Sequence, residues 1–308
     1  MKTLVVATRG SRLALAQTNI VIDALKKTHP DVNFEIKRIT TKGDKQTKVA
    51  LWQLSGFGFF TRQVEEALLA GEADIAVHSF KDMPTEKPEG LTIAAVSERF
   101  FPQDCFVSNK AAGSLDEVPE GAKIGTSSFR RIAQIKQLRG DLQTTTIRGN
   151  VQTRLSKVQS GQLDAVILAR AGLERLGLAE VISFSFDPLE FIPAPAQGAL
   201  AVQTRSDDPD TNRIASSINH APTRLVVSAE RRVLAALHPG CHAPVGVFAK
   251  ITGSDIMITA FVSDIEGKVF LHRKVTGPNS ESELLADRIA DELVKDGAAR
   301  LLENLKPK

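Results

Sequence analysis

The feature that most constrains this fold is a short apolar strand that leads through small polar residues and arginines into a helix. Residues 123–124 read as the end of a strand, and residues 126–128 are Thr-Ser-Ser, types that favour a helix N-cap. Apolar residues at helical spacing follow Ser128, so a helix is predicted there. Alternation of strand and helix is typical of an α/β fold.

Arginines occupy the start of that helix and of the next one. Arg130 and Arg131 fall in a first turn, where the helix dipole disfavours cations by up to about 1 kcal/mol. Arg148 and Arg154 repeat the arrangement after a strand predicted at 144–147. Because helix-start N–H groups and guanidiniums both bind anions, we interpret the stretch as a site for several carboxylates or phosphates. The alternative is a solvated basic face.

Length and composition narrow the class of protein. At 308 residues two or three domains are expected, and the lack of a long apolar run predicts no membrane span. A net charge of +3 and the absence of tyrosine argue against a nucleic-acid binder. Residues 1–7 show no signal-peptide pattern, so we expect a cytoplasmic protein. Cys105 and Cys241 allow at most one disulfide, which the cytosol disfavours, and no Cys-rich zinc site, so we expect no bound metal.

The pattern along the chain predicts three domains. Domain 1 is discontinuous, from 1–98 and 197–217, and domain 2 covers 104–193; each alternates strands and helices. Residues 220–308 form domain 3, a small α+β unit with a helix of about 16 residues, a three-stranded antiparallel sheet and one long helix at 281–304. Two chain crossings, near 98–104 and 193–197, predict a hinge and an interdomain cleft.

Several charged side chains follow strands, where ligands bind in such sheets. Arg9 comes after the first strand, and Lys81-Asp82 follow a strand predicted at 74–77; an ordinary surface Lys-Asp pair is the alternative. The long segment 41–58 is a candidate lid.

Cys241 lies in a loop between His238 and His242, next to prolines and a glycine. A metal site would need further ligands from elsewhere in the fold, so it is disfavoured. An inert buried cysteine and a nucleophile or attachment thiol remain the two interpretations.

Seven motifs run in order over nearly the whole chain: A-T-R-G-S at 7–11, H-S-F-K-D-M-P at 78–84, G-T-S-S-F-R-R at 125–131, I-R-G-N-V-Q-T-R-L at 147–155, L-A-R-A-G-L-E-R-L-G-L at 168–178, P-A-Q-G-A-L at 195–200 and G-C-H-A-P-V-G at 240–246. In these motifs the chain resembles the hydroxymethylbilane synthase (porphobilinogen deaminase) family of the tetrapyrrole pathway. The resemblance implies two domains like type II periplasmic binding proteins, and a dipyrromethane cofactor bound to Cys241 by a thioether.

The implied reaction joins four porphobilinogen molecules head to tail with loss of ammonia, then releases hydroxymethylbilane by hydrolysis. Asp82 is the implied catalytic carboxylate, which stabilises pyrrole N–H groups and assists proton transfer. The implied cofactor-binding residues besides Cys241 are Lys81, Thr126, Ser128, Arg130, Arg131, Asn150, Arg154 and Gln197. The implied substrate-binding residues are Arg9, Ser11, Arg148, Gly172 and Arg175. A monomer without an obligate protein partner is also implied.

Two departures from the family pattern concern the lid and the first crossing. Phe57 stands where the family usually has a lysine, and Phe100-Phe101 stand where it usually has two acids. A rival from another class is a non-catalytic anion receptor or sensor on the same two-lobed fold. It explains the arginines but gives no role to Asp82 and the Cys241 loop together.

Overall fold

A computed structural model describes residues 2–41, 61–86, 88–110, 112–237 and 243–303. Its contacts cluster into two compact units. Unit 1 consists of Met1–Phe100 and Gly198–Arg224, and unit 2 consists of Phe101–Gln197 and Leu225–Lys308. Each unit is built around its own sheet or sheets. No helix within the described ranges is long and apolar enough to cross a membrane.

Unit 1 is a five-stranded sheet with helices packed on it. The strands are β1 (Lys2–Arg9), β2 (Val32–Ile39), β3 (Ile75–Ser79), β4 (Leu91–Val96) and β10 (Leu200–Arg205), in the order β2-β1-β3-β10-β4. The helices are Arg12–Thr28, Arg62–Leu69 and Pro209–Ser216. The first three strands pair in parallel, whereas β10 runs antiparallel to both of its neighbours.

Local sequence explains the first strand-to-helix turn of unit 1. Ser11 is the N-cap of Arg12–Thr28, and its hydroxyl accepts a hydrogen bond from the Ala14 N–H at 3.2 Å. The helix buries Val21, Ile22 and Leu25 against Leu4 and other apolar side chains of the sheet. Burial of such aliphatic side chains stabilises the unit by roughly 1.5–3 kcal/mol each.

The α/β part of unit 2 repeats this architecture. Its strands are β5 (Asp104–Ser108), β6 (Lys123–Gly125), β7 (Gln143–Thr145), β8 (Ala165–Ala169) and β9 (Phe184–Ser185), in the order β7-β6-β8-β5-β9. Its helices are Phe129–Leu138, Val151–Gln159 and Arg170–Arg175. Again three strands are parallel, and β5 runs antiparallel between β8 and β9. In both sheets, therefore, the first three strands are parallel and an antiparallel strand occupies the fourth place.

The C-terminal part of unit 2 is a three-stranded antiparallel sheet with helices. The strands are β11 (Val245–Thr252), β12 (Asp255–Ser263) and β13 (Phe270–Pro278), and the helices are Ala221–Leu237, Ser282–Lys295 and Ala298–Glu303. The last two helices bury apolar residues such as Leu285, Ile289 and Leu302. They cover one face of the sheet.

The C-terminal sheet packs closely against the segment that ends the α/β part. Val247 N–H donates to the Pro193 carbonyl at 3.1 Å, and Ile192 packs with Phe248 and Phe261. A Cβ added at Gly246 would lie 2.8 Å from the Ile192 carbonyl oxygen and 2.4 Å from a ring carbon of Phe261, so only glycine permits this approach. The contacts fix the C-terminal sheet on residues 192–193.

The structure confirms the α/β class and the three-stranded antiparallel sheet at the C-terminus. The single long helix predicted at 281–304 is wrong, because Gly297 at φ +105° separates two helices. The helix Pro209–Ser216 and the short strand β9 were not predicted from the sequence. The division into three domains stays a prediction, since the contacts group the second and third together.

Candidate functional site

One edge of the unit 2 sheet gathers most of the site residues predicted from the sequence. The carboxyl ends of the parallel strands β6, β7 and β8 meet at this edge. Asp104, the first residue of the antiparallel β5, pairs with Ala169 at the end of β8 and so lies at the same edge. The polar residues that follow the three parallel strands are thereby brought together with a carboxylate.

Arg130 and Arg131 form a buried cluster with Asp104. Nη1 of Arg130 lies 2.8 Å from Oδ2 of Asp104, and Nη2 of Arg131 lies 2.7 Å from Oδ1. The exposed fractions of the arginine side chains are 5% and 7%, which excludes a solvated basic face for this pair. Their first-turn position is as predicted, but their partner Asp104 was missed by the sequence analysis.

The cluster has one positive charge in excess. Burial alone would raise the pKa of Asp104, but the two guanidiniums outweigh burial and hold the pKa well below its ordinary value. The carboxylate is therefore ionised at neutral pH and neutralises one of the two arginines. Nε of Arg131 is buried and has no hydrogen-bond partner among the described residues. The excess charge suits an anionic ligand.

The amide nitrogen of Gln197 is engaged within the protein, and its predicted place beside the cofactor stays a prediction. The side chain is fully buried, and Nε2 donates to Oδ1 of Asp104 at 2.9 Å and to the Pro102 carbonyl at 2.8 Å. Its observed role is to hold Asp104 in place. The sequence does single out Asp104, because it is a charged residue at the start of the apolar run 105–107.

The loop after β6 is tied to the loop after β7. The Ser127 hydroxyl donates to the Ile147 carbonyl and accepts from the Ile147 N–H at 3.1 Å. Thr126 is fully buried and accepts from the Ser128 N–H at 3.3 Å. Ser128 is the N-cap residue of Phe129–Leu138, as predicted, but its side chain makes no capping hydrogen bond. Its hydroxyl is thus not committed to the helix.

The loop after β7 carries Arg148 and Asn150. Asn150 is the N-cap of Val151–Gln159, and its Oδ1 accepts from the Thr153 N–H at 2.9 Å. Nε of Arg154 donates to the Gly149 carbonyl at 2.9 Å, which folds this side chain back on the loop. Nη1 of Arg148 is buried and lacks a hydrogen-bond partner within the described part of the chain. Arg148 is the second arginine here with an unsatisfied donor.

β8 ends at Ala169 and is followed directly by the helix Arg170–Arg175, which contains Gly172. Burial lowers the pKa of Arg175 to about 10, so the side chain stays charged at neutral pH. Nε of Arg170 donates to Glu174 at 2.9 Å, and its guanidinium carbon lies 4.5 Å from the ring centroid of Phe101. Phe101, one of the departures from the family pattern, has a positive φ of 49° and is held by this cation–π contact.

Asp82 lies on a short turn of 3₁₀ helix, Phe80–Asp82, directly after β3. Phe80 and Met83 on either side are buried, whereas Asp82 is exposed. The Phe80 N–H donates to the Ala199 carbonyl at 3.1 Å, and the Met83 N–H donates to the Phe80 carbonyl. Two buried apolar anchors therefore fix an exposed carboxylate at the carboxyl end of a strand, where the sequence analysis placed it. Lys81 is the half-buried neighbour on the same turn.

Arg9 and Asp82 follow neighbouring parallel strands of unit 1. Arg9 ends β1, which pairs with β3 in parallel through Val6 and Ile75. The helix that follows β1 is tied to the end of β3, because the amide of Gln17 and the hydroxyl of Ser79 are hydrogen bonded at 2.8–3.0 Å. Sequence reasoning did not identify this pair.

His78, in the same motif, is buried rather than available to a ligand. Its Nε2 lies 3.0 Å from Oε1 of Gln203, and the Gln203 amide donates to Oε1 of Glu65 at 3.1 Å. Burial lowers the pKa of His78 to about 4, and the charge of Arg9 contributes to the shift. The imidazole is therefore neutral at physiological pH.

Some predicted features fall outside the described residues. They are Cys241 with its flanking His238 and His242, and the part of the candidate lid from residue 42 onwards, including Phe57. Across the described ranges no group of three or more His, Cys, Asp or Glu side chains could hold a metal ion.

A cavity of about 690 Å³ in unit 2 lies away from this edge. Its lining includes Ser108, Lys110, Val158 and Ile182. Ser108 pairs with Ala165 at the start of β8, which is the end of the sheet opposite to Asp104. The cavity is therefore separate from the arginine cluster.

Replacement of Asp104 by Asn is expected to destabilise the protein by about 3–5 kcal/mol, because two buried cations lose their counter-charge. The depressed pKa means that the stabilisation is present above about pH 4 and is lost as the pH falls below that value. The difference between wild type and Asp104→Asn in thermal or urea unfolding should shrink on acidification. Asp141→Asn removes an exposed partner of Arg139 and should cost about 1 kcal/mol or less. Equal losses in the two variants would contradict the buried-cluster account.

Comparisons with known proteins cover nearly the whole chain. A family model described as the porphobilinogen deaminase dipyrromethane cofactor-binding domain matches residues 4–213, and the model of the porphobilinogen deaminase C-terminal domain matches 224–295. A porphobilinogen deaminase of Desulforudis audaxviator is 44% identical over 305 residues, which cover 99% of this chain and 98% of the relative. One of Xanthomonas axonopodis pv. citri is 43% identical, covering 99% and 100%. Among solved structures, substrate-binding domain 2 of Lactococcus lactis GlnP has a TM-score of 0.43 and 11% identity, covering 70% of this chain and 88% of that one.

Proposed function

The chain belongs to the porphobilinogen deaminase family, and from this premise we propose which of its residues hold the cofactor and carry out the condensation. The enzyme is a hydroxymethylbilane synthase, a transferase with a dipyrromethane cofactor. It joins four porphobilinogen molecules head to tail with release of ammonia and then liberates hydroxymethylbilane by hydrolysis. The assignment of individual residues is the proposal.

The residues at the edge of the unit 2 sheet fit the cofactor. A dipyrromethane carries acidic side chains, and the cluster of Arg130, Arg131 and Asp104 has one positive charge in excess. Nε of Arg131 is a buried donor that lacks a partner among the described residues, and this unsatisfied donor is the observation that carries the proposal. The rest of the proposed cofactor-binding set consists of Thr126, Ser128, Asn150, Arg154, Gln197 and Lys81.

When bound, the dipyrromethane supplies the pyrrole carbon onto which the first porphobilinogen is joined. Cys241 is proposed as its attachment point on the basis of the motif G-C-H-A-P-V-G at 240–246. Gln197 contributes by holding Asp104, and through it the arginine pair.

Asp82 is the proposed catalytic residue. Its exposed carboxylate, held between the buried Phe80 and Met83, can accept hydrogen bonds from pyrrole N–H groups as positive charge develops on the ring. The same carboxylate can accept a proton from the substrate and return it. Fixed placement on a short turn limits the reorganisation needed for either task.

Substrate binding is proposed for Arg9, Ser11, Arg148, Gly172 and Arg175. The planar guanidinium forms paired hydrogen bonds with a carboxylate, and each porphobilinogen carries two such groups. The hydroxyl of Ser11 already caps a helix but retains its own proton to donate.

Arg148→Gln is expected to raise the KM for porphobilinogen by about 10–100-fold, the value of one or two hydrogen bonds to a charged group. Thermal stability should change by no more than about 0.5 kcal/mol, because Nη1 of Arg148 has no partner among the described residues to lose. Steady-state kinetics and thermal unfolding measure both quantities.

Arg139→Gln is the matched control for this experiment. Its guanidinium is engaged by Asp141 and by the Leu115 and Val118 carbonyls, so its loss should lower stability and leave KM unchanged. A wild-type KM in Arg148→Gln, or the same KM increase in both variants, would remove Arg148 from the substrate site.

The enzyme is further proposed to act in the cytoplasm as a monomer. The use of only two cysteines in 308 residues supports a reducing compartment.

A further inference from the structure

Glu230 joins the C-terminal part of unit 2 to the segment that precedes Gln197. It lies in the helix Ala221–Leu237, and its side chain is fully buried. Oε2 accepts a hydrogen bond from the Ala196 N–H at 2.6 Å, and Oε1 accepts one from the Ala249 N–H on β11 at 2.7 Å. One carboxylate thus bridges the backbones of two separate chain segments.

The backbone at Ala196 needs this support. Ala196 has a φ of 61°, a left-handed conformation that residues with a Cβ rarely adopt. Such a conformation persists where its surroundings hold it in place. The hydrogen bond from the Ala196 N–H to Oε2 of Glu230 is short, at 2.6 Å, and both residues are fully buried, so it helps to hold Ala196 in this conformation.

The next residue carries the connection to the arginine cluster. Gln197 follows Ala196 directly, and its amide nitrogen donates to Oδ1 of Asp104 at 2.9 Å. The same oxygen of Asp104 accepts from Nη2 of Arg131 at 2.7 Å, while Oδ2 lies 2.8 Å from Arg130. A continuous series of buried contacts therefore runs from Glu230 to both guanidiniums.

We propose that Glu230 is a positioning residue for the arginine pair and acts on it through Ala196, Gln197 and Asp104. The inference deepens the proposed function, because it rests on Arg130 and Arg131 holding the cofactor. It assigns to the C-terminal part of unit 2 a second task besides carrying Cys241. The helix that contains Glu230 ends at Leu237, four residues before that cysteine.

The docking of the C-terminal sheet does not depend on Glu230 alone. The Ile192 N–H donates to Oε1 of Gln134 at 2.6 Å, and the Val247 N–H donates to the Pro193 carbonyl. Phe248 and Phe261 pack against Ile192. These contacts hold the start of the 192–197 segment, and Glu230 holds its end, so a substitution at Glu230 should leave the fold intact.

The test is a double-mutant cycle between Glu230→Gln and Gln197→Ala on the full chain. Glutamine keeps one acceptor oxygen and turns an NH₂ group toward one of the two backbone N–H groups, which breaks one bridge bond. The observable is the ratio of unmodified to dipyrromethane-bearing chain by intact-mass spectrometry. We expect each single variant to raise this ratio about ten-fold. The double variant should also raise it about ten-fold, whereas two independent effects would multiply to about a hundred-fold.

Glu281→Gln, on an exposed glutamate of the same part of the protein, is the matched control. It should leave the ratio unchanged and combine additively with Gln197→Ala. Additive effects of Glu230→Gln and Gln197→Ala, or a wild-type ratio in Glu230→Gln, would overturn the proposal. If Glu230→Gln loses cooperative unfolding, Glu230→Asp replaces it in the cycle, because the shorter side chain keeps the carboxylate but cannot reach both the Ala196 and the Ala249 N–H groups.

The same ratio measured in Arg131→Gln distinguishes the role of Glu230 from the cofactor role of the arginine pair. A wild-type ratio in Arg131→Gln would overturn the cofactor role of the arginine pair itself, and the Glu230 proposal with it. A raised ratio in Arg131→Gln together with additive Glu230 and Gln197 effects would overturn the Glu230 proposal alone.

Discussion

Replacement of Cys241 by serine is expected to leave the protein without its dipyrromethane and to reduce turnover of porphobilinogen to background. A thiolate is a far better nucleophile than a serine hydroxyl, so the covalent link should not form. Intact-mass spectrometry should show the wild type heavier than its sequence by one dipyrromethane, and the variant at its sequence mass. The chain should still fold, since the change is a single atom.

Cys105→Ser provides a matched control for the loss of the thiol. Cys105 is fully buried in β5, and burial raises the pKa of its thiol to about 12, so it is not a nucleophile at neutral pH. This variant should keep the cofactor mass and most of the activity. A wild type at its bare sequence mass that is nevertheless folded would count heavily against attachment at Cys241.

Asp82→Ala is expected to lower turnover by about 10²–10⁴-fold while the protein folds and keeps its cofactor. The carboxylate is exposed, and Phe80 and Met83 supply the buried contacts of the turn, so stability should change by about 0.5 kcal/mol or less. Measurements of kcat, cofactor mass and thermal unfolding on one preparation separate these effects.

Glu86→Ala tests whether any acidic residue near this turn has the same effect. Glu86 is exposed and lies four positions after Asp82. Its removal should leave kcat within about two-fold of wild type, as is usual for a surface substitution. Wild-type turnover in Asp82→Ala would exclude the carboxylate from the mechanism, whereas a large loss in both variants would point to a general effect of negative charge.

Patterns local in sequence predicted most of the fold. Helix starts at Ser11 and Ser128 followed from N-cap residue types and the apolar spacing after them. Asp82 was placed after a strand because the apolar run before it ends in a proline-containing loop. The break at Gly297 was missed because glycine is tolerated inside a helical pattern, and only its positive φ shows that the helix ends there.

Contacts between distant residues could not be predicted from the sequence. Asp104 meets Arg131 only because an antiparallel strand starts where a parallel strand ends, and this register is set by the whole sheet. Glu230 meets Ala196 because a helix and a crossing segment pack together. In each case the sequence shows a charged residue, but the group that it contacts depends on tertiary structure.

The position of β10 constrains how the chain can fold during synthesis. It pairs with β3 and β4 in the interior of its sheet, and Ala201 meets Val96 across about one hundred positions of chain. A nascent chain that ends before residue 200 therefore presents two open strand edges, while the intervening segment is already emerging from the ribosome. Such edges invite pairing with other chains, and the late closure gives unit 1 a high contact order. The turn that carries Asp82 cannot form completely until this segment is synthesised, because the Phe80 N–H donates to the Ala199 carbonyl.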